Sequence, residues 1–386
     1  MDVVSLTKAL ISTAEKGANI ARVIRAEEEL LSLLVEEKSG QQKNDRFVND
    51  FKTLADVLVQ EVVRHDLSKQ FPGIERNFHG EESSKFTNTM GESILVEVKA
   101  TREETCALLE TILDGNRKAA ELLSEAVHAD INTSTELPIR TGQHCLPVHM
   151  LGLWIDPIDS TAQYISGENG LTGEDGLTEH GLQNVLVLIG VYDQLTGQPL
   201  IGVTNQPFHK YNPDTDRWAG RSEWGVSIGN LQVNSLSQPV EVQSTVPRGI
   251  VMLSSSEDPQ VEGALKAVSQ VTYASGAGYK ILVTVLGLVD AYVISKSTTY
   301  KWDVCGPHAI MKSRGGGVVR YSKATQLFKE KAGQLTESDL CELQVRYATP
   351  DKVNAQGAKM WCNEGGIIVY SEKTFLLKLL EKLSAL

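Results

Sequence analysis

The sequence predicts an α/β protein with two lobes, of which the first is α+β and the second is α/β. Its 386 residues exceed the usual limit for one compact hydrophobic core. Helical patterns dominate the beginning of the chain and closely spaced strand patterns follow them, whereas strands and helices alternate after residue 249. Periodicity is weakest in residues 229–247. We therefore predict an N-terminal α+β lobe of residues 1–240 and a C-terminal α/β lobe of residues 241–386.

The beginning of the first lobe is predicted to be mainly helical. Apolar residues at helical spacing in residues 5–37 indicate two helices or one bent helix, and a polar break follows at residues 39–44. Residues 47–65 predict a further helix, and residues 74–78 a short strand. Residues 101–104 have the spacing of a capping box, which predicts that a helix begins there.

The rest of the first lobe is predicted to form an antiparallel sheet. The apolar run Leu151–Ile155 indicates the end of a buried strand. Residues 166–183 are rich in glycine and acidic residues, which favours an exposed insertion. Three more strands are predicted at residues 185–191, 200–204 and 218–226, and the turn-forming residues between them indicate hairpins.

The second lobe shows the alternation of short strands and helices that is typical of an α/β sheet. A glycine turn at residues 276–278 leads into one of these helices, and a polar loop is predicted after residue 321. The predicted strands are 249–253, 291–295, 318–321 and 367–370, and the predicted helices are 261–268, 279–288, 303–312 and a C-terminal helix.

Composition argues against several classes of protein. The formal net charge of −12 argues against a protein that coats nucleic acid, although bound divalent cations could still attract an anionic substrate. We find no apolar run of membrane-spanning length and no signal-peptide pattern. The five cysteines form no close pairs. We therefore expect a reduced, cytoplasmic protein without a nucleic-acid or membrane partner.

The motif Trp154–Thr161 is the strongest signal for chemistry. Asp156 and Asp159 flank a proline, which favours a tight turn at the carboxyl end of the strand. There they could converge on one hard cation, while Ser160 and Thr161 begin a helix whose first N–H groups favour phosphate. This layout is typical of a metal-assisted phosphate-ester hydrolase. Asp-Pro turns and helix caps without any catalytic role are the alternative interpretation.

Other acidic residues carry weaker signals. Glu81 and Glu82 follow Gly80, which would permit a sharp turn after the predicted strand. Asp56 lies within a helical pattern, where a solvated helix face is the simpler interpretation. Asp303 could be only a helix cap, but its helix is predicted to lie on the opposite lobe. A site between the lobes would combine these carboxylates.

Further polar residues in the second lobe could contact phosphate. The segment Gly276–Lys280 is either a plain turn between strand and helix or a phosphate-binding turn, in which Lys280 would supply a point charge. Ser254, Ser255 and Ser256 at a strand end could donate hydroxyl groups to a ligand or merely cap the next helix.

Three motifs together resemble the signatures of the inositol monophosphatase superfamily. They are Gly80-Glu81-Glu82, Trp154–Thr161, and Trp302-Asp303 with Ala309-Ile310, and they occur in the family's order across most of the chain. The resemblance implies a magnesium-dependent, lithium-sensitive phosphatase. It also implies stacked layers of helices and sheets in α-β-α-β-α order, a sandwich of the inositol monophosphatase/fructose-1,6-bisphosphatase type.

Three local features further resemble one branch of that superfamily. These are Ser160, where monophosphatases commonly have glycine, and the segments Phe51–Gln60 and Gly276–Lys280. The members of this branch remove the 1-phosphate from inositol 1,4-bisphosphate and inositol 1,3,4-trisphosphate. The resemblance implies the same activity for this chain.

The resemblance also implies a role for each residue of the site. Asp56 and Thr161 would orient a metal-activated water that attacks phosphorus in line, without a covalent enzyme intermediate. The ligands of two magnesium ions, and of a third bound more weakly, would be Glu81, Glu82, Asp156, Ile158 through its carbonyl, Asp159 and Asp303. The residues that contact substrate would be Asp159, Ser160, Thr161, Ser256, Gly276, Ala277, Lys280 and Thr298.

Two positions depart from the family's pattern. Pro307 stands where related helices have small residues, and we place it in the first turn of its helix, where proline is tolerated. Asp258 stands where related enzymes often have lysine, which leaves the contacts with a 4-phosphate open.

Two alternative functions stay open. A phosphatase of 3′-phosphoadenosine 5′-phosphate, a 3′(2′),5′-bisphosphate nucleotidase of the same superfamily, would share the metal ligands. A non-catalytic inositol-phosphate-binding protein is disfavoured, because every acidic ligand position is retained. We expect a monomer with a small-molecule substrate, by resemblance only.

Overall fold

The computed structural model describes residues 1–26, 35–37, 51–88, 90–131, 133, 135–236 and 249–386. The predicted polar break at 39–44, the start of the predicted helix at 47, and the lobe boundary at residues 240 and 241 lie outside the described residues. The division into lobes therefore stays a prediction. Among the described helices, none combines the length and apolarity needed to cross a membrane.

The described residues form helices and strands with the following bounds. The α-helices are α1 (Val3–Ala26), α2 (Leu54–Gln70), α3 (Arg102–Ile112), α4 (Arg117–His128), α5 (Thr161–Ser166), α6 (Pro259–Lys266), α7 (Ala277–Val285), α8 (Lys301–Ser313), α9 (Tyr321–Glu330), α10 (Glu337–Leu343) and α11 (Lys373–Leu383). The strands are β1 (Val35–Glu37), β2 (Phe51–Thr53), β3 (Phe78–Gly80), β4 (Lys85–Thr87), β5 (Ser93–Leu95), β6 (Leu151–Asp159), β7 (Leu186–Asp193), β8 (Pro199–Asn212), β9 (Arg217–Ile228), β10 (Leu231–Asn234), β11 (Ile250–Leu253), β12 (Gln270–Tyr273), β13 (Ala291–Ile294), β14 (Gly317–Arg320) and β15 (Ile367–Tyr370). Short 3₁₀ helices occur at Ile74–Asn77, Val148–Met150, Leu182–Asn184 and Gly357–Trp361.

The larger sheet has the strand order β10-β9-β8-β7-β6-β3. The strands β6 to β10 pair antiparallel in sequence, and β3 joins β6 in parallel. Side chains alternate across a strand, so Ile189 and Val191 of β7 pack with α1 while Gly190 faces α8. The predicted hairpins are therefore confirmed, and the sheet is covered by helices on both faces.

The smaller sheet has the order β12-β11-β13-β15-β14. β11 pairs in parallel with β12 and β13, whereas β15 runs antiparallel to β13 and β14. One face packs with α7 and α8, and the other with α6, α9 and α11. The layers follow the predicted α-β-α-β-α order, with α7 and α8 between the two sheets.

Two glycines allow α8 to lie directly against the larger sheet. A Cβ on Gly202 would stand 1.9 Å from the carbonyl oxygen of Gly306, and a Cβ on Gly306 would stand 2.7 Å from the carbonyl oxygen of Ile189.

The prediction that Pro307 occupies the first turn of its helix is wrong, because α8 begins at Lys301 and the proline lies inside it. Proline has no N–H group, so the helical hydrogen bond expected at this position is missing.

Several element boundaries near the beginning of the chain differ from the predictions. Residues 35–37 form β1 rather than a helix, and it pairs with β2, where a helix was also predicted. The helix α2 begins at Leu54 because Thr53 forms a capping box with Asp56. Residues 74–77 form a 3₁₀ helix, and the predicted strand there begins only at Phe78. By contrast, the predicted capping box at Thr101 is confirmed.

Other differences concern elements that were not predicted. The strands β10 and β12 are too short for a clear periodic pattern, and α9 and α10 occupy the predicted polar loop. In α9 the described buried residues are only Ala324 and Phe328, which explains its weak signal. The predicted insertion at 166–183 is exposed only in part, because Leu177, Thr178 and Gln183 are buried.

Candidate active site

A cavity of about 230 Å³ opens between β6, α5, α7 and α8. Eleven of the predicted site residues line it, namely Glu81, Asp156, Ile158, Asp159, Ser160, Thr161, Gly276, Ala277, Lys280, Thr298 and Asp303. The predicted residues Asp56, Glu82 and Ser256 are outside this lining. The cavity therefore lies between the end of β6 in the larger sheet and the helices that are located between the two sheets.

A β-bulge brings two aspartates to the same face of β6. Asp156 pairs with Leu188 and Asp159 with Leu186, so three steps along β6 match two steps along β7. Without the additional residue, positions three apart would point to opposite faces. The prediction that the strand ends before these residues is wrong, because β6 continues to Asp159 and the proline lies within the bulge.

Asp303 completes a buried acidic cluster. One carboxylate oxygen from each of Asp156, Asp159 and Asp303 lies within 4.8 Å of the others. Their side chains belong to residues that are only 2%, 7% and 7% exposed, respectively. Asp303 is the third residue of α8, and its Oδ2 accepts a 2.8 Å hydrogen bond from the N–H of Tyr300. This bond directs the carboxylate toward β6.

The cluster is electrostatically strained without a cation. Burial raises the pKa of Asp156 and of Asp303 well above the usual range, and the neighbouring carboxylates raise both further. Burial also raises the pKa of Asp159 to about 6, although the nearby Lys280 ammonium lowers it. Within the described residues, Oδ1 of Asp156 has no hydrogen-bond partner. A purely oxygen donor set of this kind fits a hard divalent cation.

Gln60 holds the Glu81–Glu82 turn against α2. Its Nε2 donates to the carbonyl oxygen of Glu82 at 2.7 Å, and its Oε1 accepts from the N–H of Glu82 at 3.1 Å. A Cβ on Gly80 would lie 1.9 Å from Oε1 of Gln60. Gly80 is therefore required for this close approach rather than for a turn, since its φ is not positive. Glu82 is buried but does not line the cavity.

Asp56 is buried, which overturns its interpretation as part of a solvated helix face. It is 0% exposed, and its Oδ2 accepts hydrogen bonds from the N–H and the hydroxyl of Thr53 at 2.7 and 2.6 Å. Its Oδ1 lies 3.3 Å from the hydroxyl of Thr161, which also lies 3.1 Å from the carbonyl oxygen of Ile158. Ser160, which directly precedes the helix α5, has a positive φ of 74°. Asp56 thus reaches the cavity through Thr161.

The residues that follow β12 in the chain form the second wall of the cavity. Gly276 has a φ of 82°, which favours glycine, and the N–H of Gly278 donates to Oδ2 of Asp159 at 3.1 Å. The ammonium of Lys280 donates to the carbonyl oxygen of Ala274 at 3.2 Å. Oγ1 of Thr298 is buried without a hydrogen-bond partner in the described residues. This wall presents backbone amides, the hydroxyl groups of Ser275 and Thr298, and the buried ammonium of Lys280.

The serine cluster is placed differently from the prediction. Ser254 and Ser255 line the cavity, whereas Ser256 stands behind them with its hydroxyl 3.1 Å from that of Ser254. Sequence reasoning also missed several lining residues that adjoin the recognised segments: Ala162, Gln163, Ala274, Ser275, Tyr300 and Trp302. Their proximity to those segments is the only signal that could have found them.

Comparisons with known proteins agree with this arrangement. The model of the inositol monophosphatase family matches residues 4–351. Inositol polyphosphate 1-phosphatase of Mus musculus is 41% identical over 391 residues, covering 97% of this chain and 96% of that protein. The Bos taurus protein of the same name is 42% identical over 396 residues, covering 97% of each.

A solved structure shows the same fold. The IMPase/NADP phosphatase complexed with Mg²⁺ and phosphate covers 97% of this chain and 95% of its own, with a TM-score of 0.51 at 11% identity. The predicted fold and the prediction of a phosphatase are thus confirmed. The chain belongs to the inositol monophosphatase family.

Proposed function

We propose that this protein is a magnesium-dependent, lithium-sensitive phosphatase that removes the 1-phosphate from inositol 1,4-bisphosphate and inositol 1,3,4-trisphosphate. The observation that carries the proposal is the buried cluster of Asp156, Asp159 and Asp303 beside a cavity of about 230 Å³. The relatives named inositol polyphosphate 1-phosphatase, which match nearly the whole chain, support the substrate class.

The residues present fit bound magnesium. Glu81, Asp156 and the carbonyl of Ile158 would hold one ion, while Asp156, Asp159 and Asp303 would hold a second. Glu82 would lie near a third, weaker site. Bound magnesium would supply the positive charge that offsets the charge of the phosphate and would lower the pKa of a water molecule. The unpartnered Oδ1 of Asp156 and the raised aspartate pKa values support this set.

Thr161 orients the attacking water in this proposal. Its hydroxyl has one hydrogen, which Oδ1 of Asp56 at 3.3 Å or the carbonyl oxygen of Ile158 at 3.1 Å accepts, and in either case the oxygen lone pairs stay free to accept from water. Thr53 fixes the Asp56 carboxylate, so the two acceptors of the Thr161 hydroxyl keep their positions. Attack of this water on phosphorus would break the bond between phosphorus and the 1-oxygen of inositol, which leaves as a hydroxyl after it takes up a proton from solvent, and no side chain becomes phosphorylated.

The remaining lining residues bind the substrate. Ser160 and Thr161 present their amides to the 1-phosphate, next to Asp159. Gly276 and Ala277, with Thr298, contact the inositol ring and the second phosphate. Lys280 supplies positive charge from within the cavity wall. Ser256 acts from behind Ser254, whose hydroxyl it contacts.

We extend the proposal to a cytoplasmic, monomeric protein. All five cysteines are free thiols, which supports a reducing compartment. The monomer and the lithium sensitivity rest on the family resemblance alone.

Identification of the product tests the proposal. The protein is incubated with magnesium and inositol 1,4-bisphosphate, and ³¹P NMR distinguishes the two possible monophosphates. Inositol 4-phosphate and inorganic phosphate are the expected products. Formation of inositol 1-phosphate would contradict the proposed position of cleavage, and no phosphate release would contradict the activity itself.

A further inference from the structure

The segment Glu168–Asn184, called here the bracing segment, contacts both walls of the cavity. On the side of the larger sheet, the N–H of Gly181 donates to Oε1 of Gln163 at 2.7 Å. On the other side, the N–H of Ser275 donates to the carbonyl oxygen of Glu179 at 2.8 Å. Gln163 and Ser275 both line the cavity, so the segment spans its two walls from outside.

Asn184 fixes the bracing segment to the second wall. It is 0% exposed, and its Nδ2 donates to the carbonyl oxygens of Thr178, Glu179 and Ser275 at 3.1, 3.2 and 3.0 Å. One buried amide thus joins two residues of the segment to the turn that follows β12. Removing the donor would leave buried carbonyls without this partner, which is unfavourable.

The bracing segment is also held along its length. The N–H of Thr178 donates to the hydroxyl oxygen of Tyr279 in α7 at 2.8 Å. Gln183 accepts from the N–H of Gly170 at 2.8 Å and donates to its carbonyl oxygen at 3.0 Å. These contacts tie the two ends of the segment together and to α7, so displacement of one part is transmitted to the rest.

The turn that Asn184 holds is in direct contact with the acidic cluster. Ser275 immediately precedes Gly276, and the N–H of Gly278 donates to Oδ2 of Asp159 at 3.1 Å. A Cβ on Gly276 would stand 2.4 Å from the hydroxyl oxygen of Ser160. The position of the turn therefore determines how close its amides come to the residues that bind phosphate.

We propose that Asn184 is a positioning residue that fixes the turn Ser275–Gly278 against Asp159 and thereby sets the affinity for substrate. Asn184 holds the turn in place by connecting Ser275 to Thr178 and Glu179 of the bracing segment. This inference rests on the proposed function, since the turn contacts substrate only if the cavity is the active site.

Two substitutions test the role of the amide. Asn184→Asp preserves the shape of the side chain but places a carboxylate against three carbonyl oxygens, whereas Asn184→Ala removes the donor without adding charge. We expect KM for inositol 1,4-bisphosphate to rise about tenfold in both variants, with kcat within about threefold of the wild type.

Asn205 provides a matched control. It is also 0% exposed, and its Nδ2 donates to Glu15 and Ser222, both at 2.7 Å and outside the cavity lining. Asn205→Asp should lower the melting temperature while leaving KM within about twofold of the wild type. A rise in KM in this variant equal to that in the Asn184 variants would show a general effect of destabilisation and would overturn the inference.

Hydrogen exchange gives a readout that does not require activity. In Asn184→Ala, the amides of Ser275 and Thr178 should exchange about tenfold faster than in the wild type, whereas Asn205→Asp should leave them unchanged. Unchanged KM or unchanged exchange at Ser275 in Asn184→Ala would overturn the inference. A wild-type protein that releases no phosphate would instead contradict the proposed function, and the exchange experiment would still decide whether Asn184 holds the turn.

Discussion

Thr161 and Asp56 join the first turns of two helices across the floor of the cavity. The hydroxyl oxygen of Thr161 lies 3.3 Å from Oδ1 of Asp56, and the other carboxylate oxygen caps α2 through Thr53. Asp56 therefore has a structural role in the capping box of α2, and we propose a chemical role for it as well. It begins its own helix, and it orients the hydroxyl that we propose to hold the attacking water.

Replacing Thr161 by alanine should lower turnover more than substrate affinity. The hydroxyl is needed only to orient water, so we expect kcat to fall about 10²-fold while KM changes little. Thr161→Ser keeps the hydroxyl and is the matched control, with kcat close to that of the wild type. Steady-state kinetics with inositol 1,4-bisphosphate measure both parameters, and an unchanged kcat in Thr161→Ala would rule out this role.

Neutralising one cluster carboxylate should abolish turnover without unfolding the protein. Asp156→Asn and Asp303→Asn each remove a proposed magnesium ligand and also reduce repulsion among buried carboxylates. We therefore expect no measurable phosphate release, a melting temperature without magnesium that is at least as high as in the wild type, and a smaller increase when magnesium is added. Asp214→Asn, in the exposed turn between β8 and β9, should behave like the wild type. Full activity in either cluster variant would contradict the metal assignment.

The packing of α8 on the larger sheet should depend on Gly202. A Cβ at this position would stand 1.9 Å from the carbonyl oxygen of Gly306, so Gly202→Ala should lower the free energy of unfolding by about 1–3 kcal/mol. Gly263→Ala is the matched control, because no atom lies within 4 Å of a Cβ there and the residue is in α6. Gly263→Ala should raise the free energy of unfolding by about 0.5–1 kcal/mol. Equal urea midpoints for the two variants would be incompatible with this packing.

Stability should fall on acidification because His308 is buried in its neutral form. Burial, together with the nearby Lys312, lowers the pKa of His308 to about 3. The ring nitrogens Nδ1 and Nε2 lie 2.8 Å from the hydroxyl oxygen of Tyr347 and 2.9 Å from Oε1 of Gln344, respectively. Below a pH of about 6.5 the unfolded chain binds a proton at this residue and the folded chain does not. The free energy of unfolding therefore falls by up to about 1.4 kcal/mol for each pH unit. Urea unfolding between pH 7.5 and 5 should show a shallower loss in His308→Gln, and identical slopes would exclude the effect.

The sequence was sufficient to predict features that depend on local patterns. Apolar runs separated by turn-forming residues predicted the hairpins of β7 to β9, and short motifs predicted that Asp156, Asp159 and Asp303 converge. Asp156, Asp159 and Asp303 do lie together, although two of them are well over a hundred residues apart in the chain. The convergence of these three could be predicted because Asp156 and Asp159 belong to the apolar strand β6 and Asp303 lies in the first turn of the buried helix α8.

Features that depend on distant partners could not be predicted in the same way. The bulge in β6 is defined by its register with β7, and the need for glycine at position 80 comes from Gln60. Asp56 is buried and contacts Thr161 of another helix, which lies 105 residues further along the chain. The bracing segment has a polar sequence, but Asn184 anchors it to Ser275, which is 91 residues away. In each case the contact that determines the structure joins residues that are distant in the chain.

The most direct test of the proposed activity is phosphate release from two substrates measured side by side. Inositol 1,4-bisphosphate and adenosine 3′,5′-bisphosphate are compared with magnesium, with magnesium plus lithium, and with a chelator in place of magnesium. We predict rapid release from the inositol compound, suppression by lithium, and no release with the chelator. Preference for the adenosine compound would contradict the substrate assignment, and release that persists with the chelator would contradict the role of the Asp156, Asp159 and Asp303 cluster.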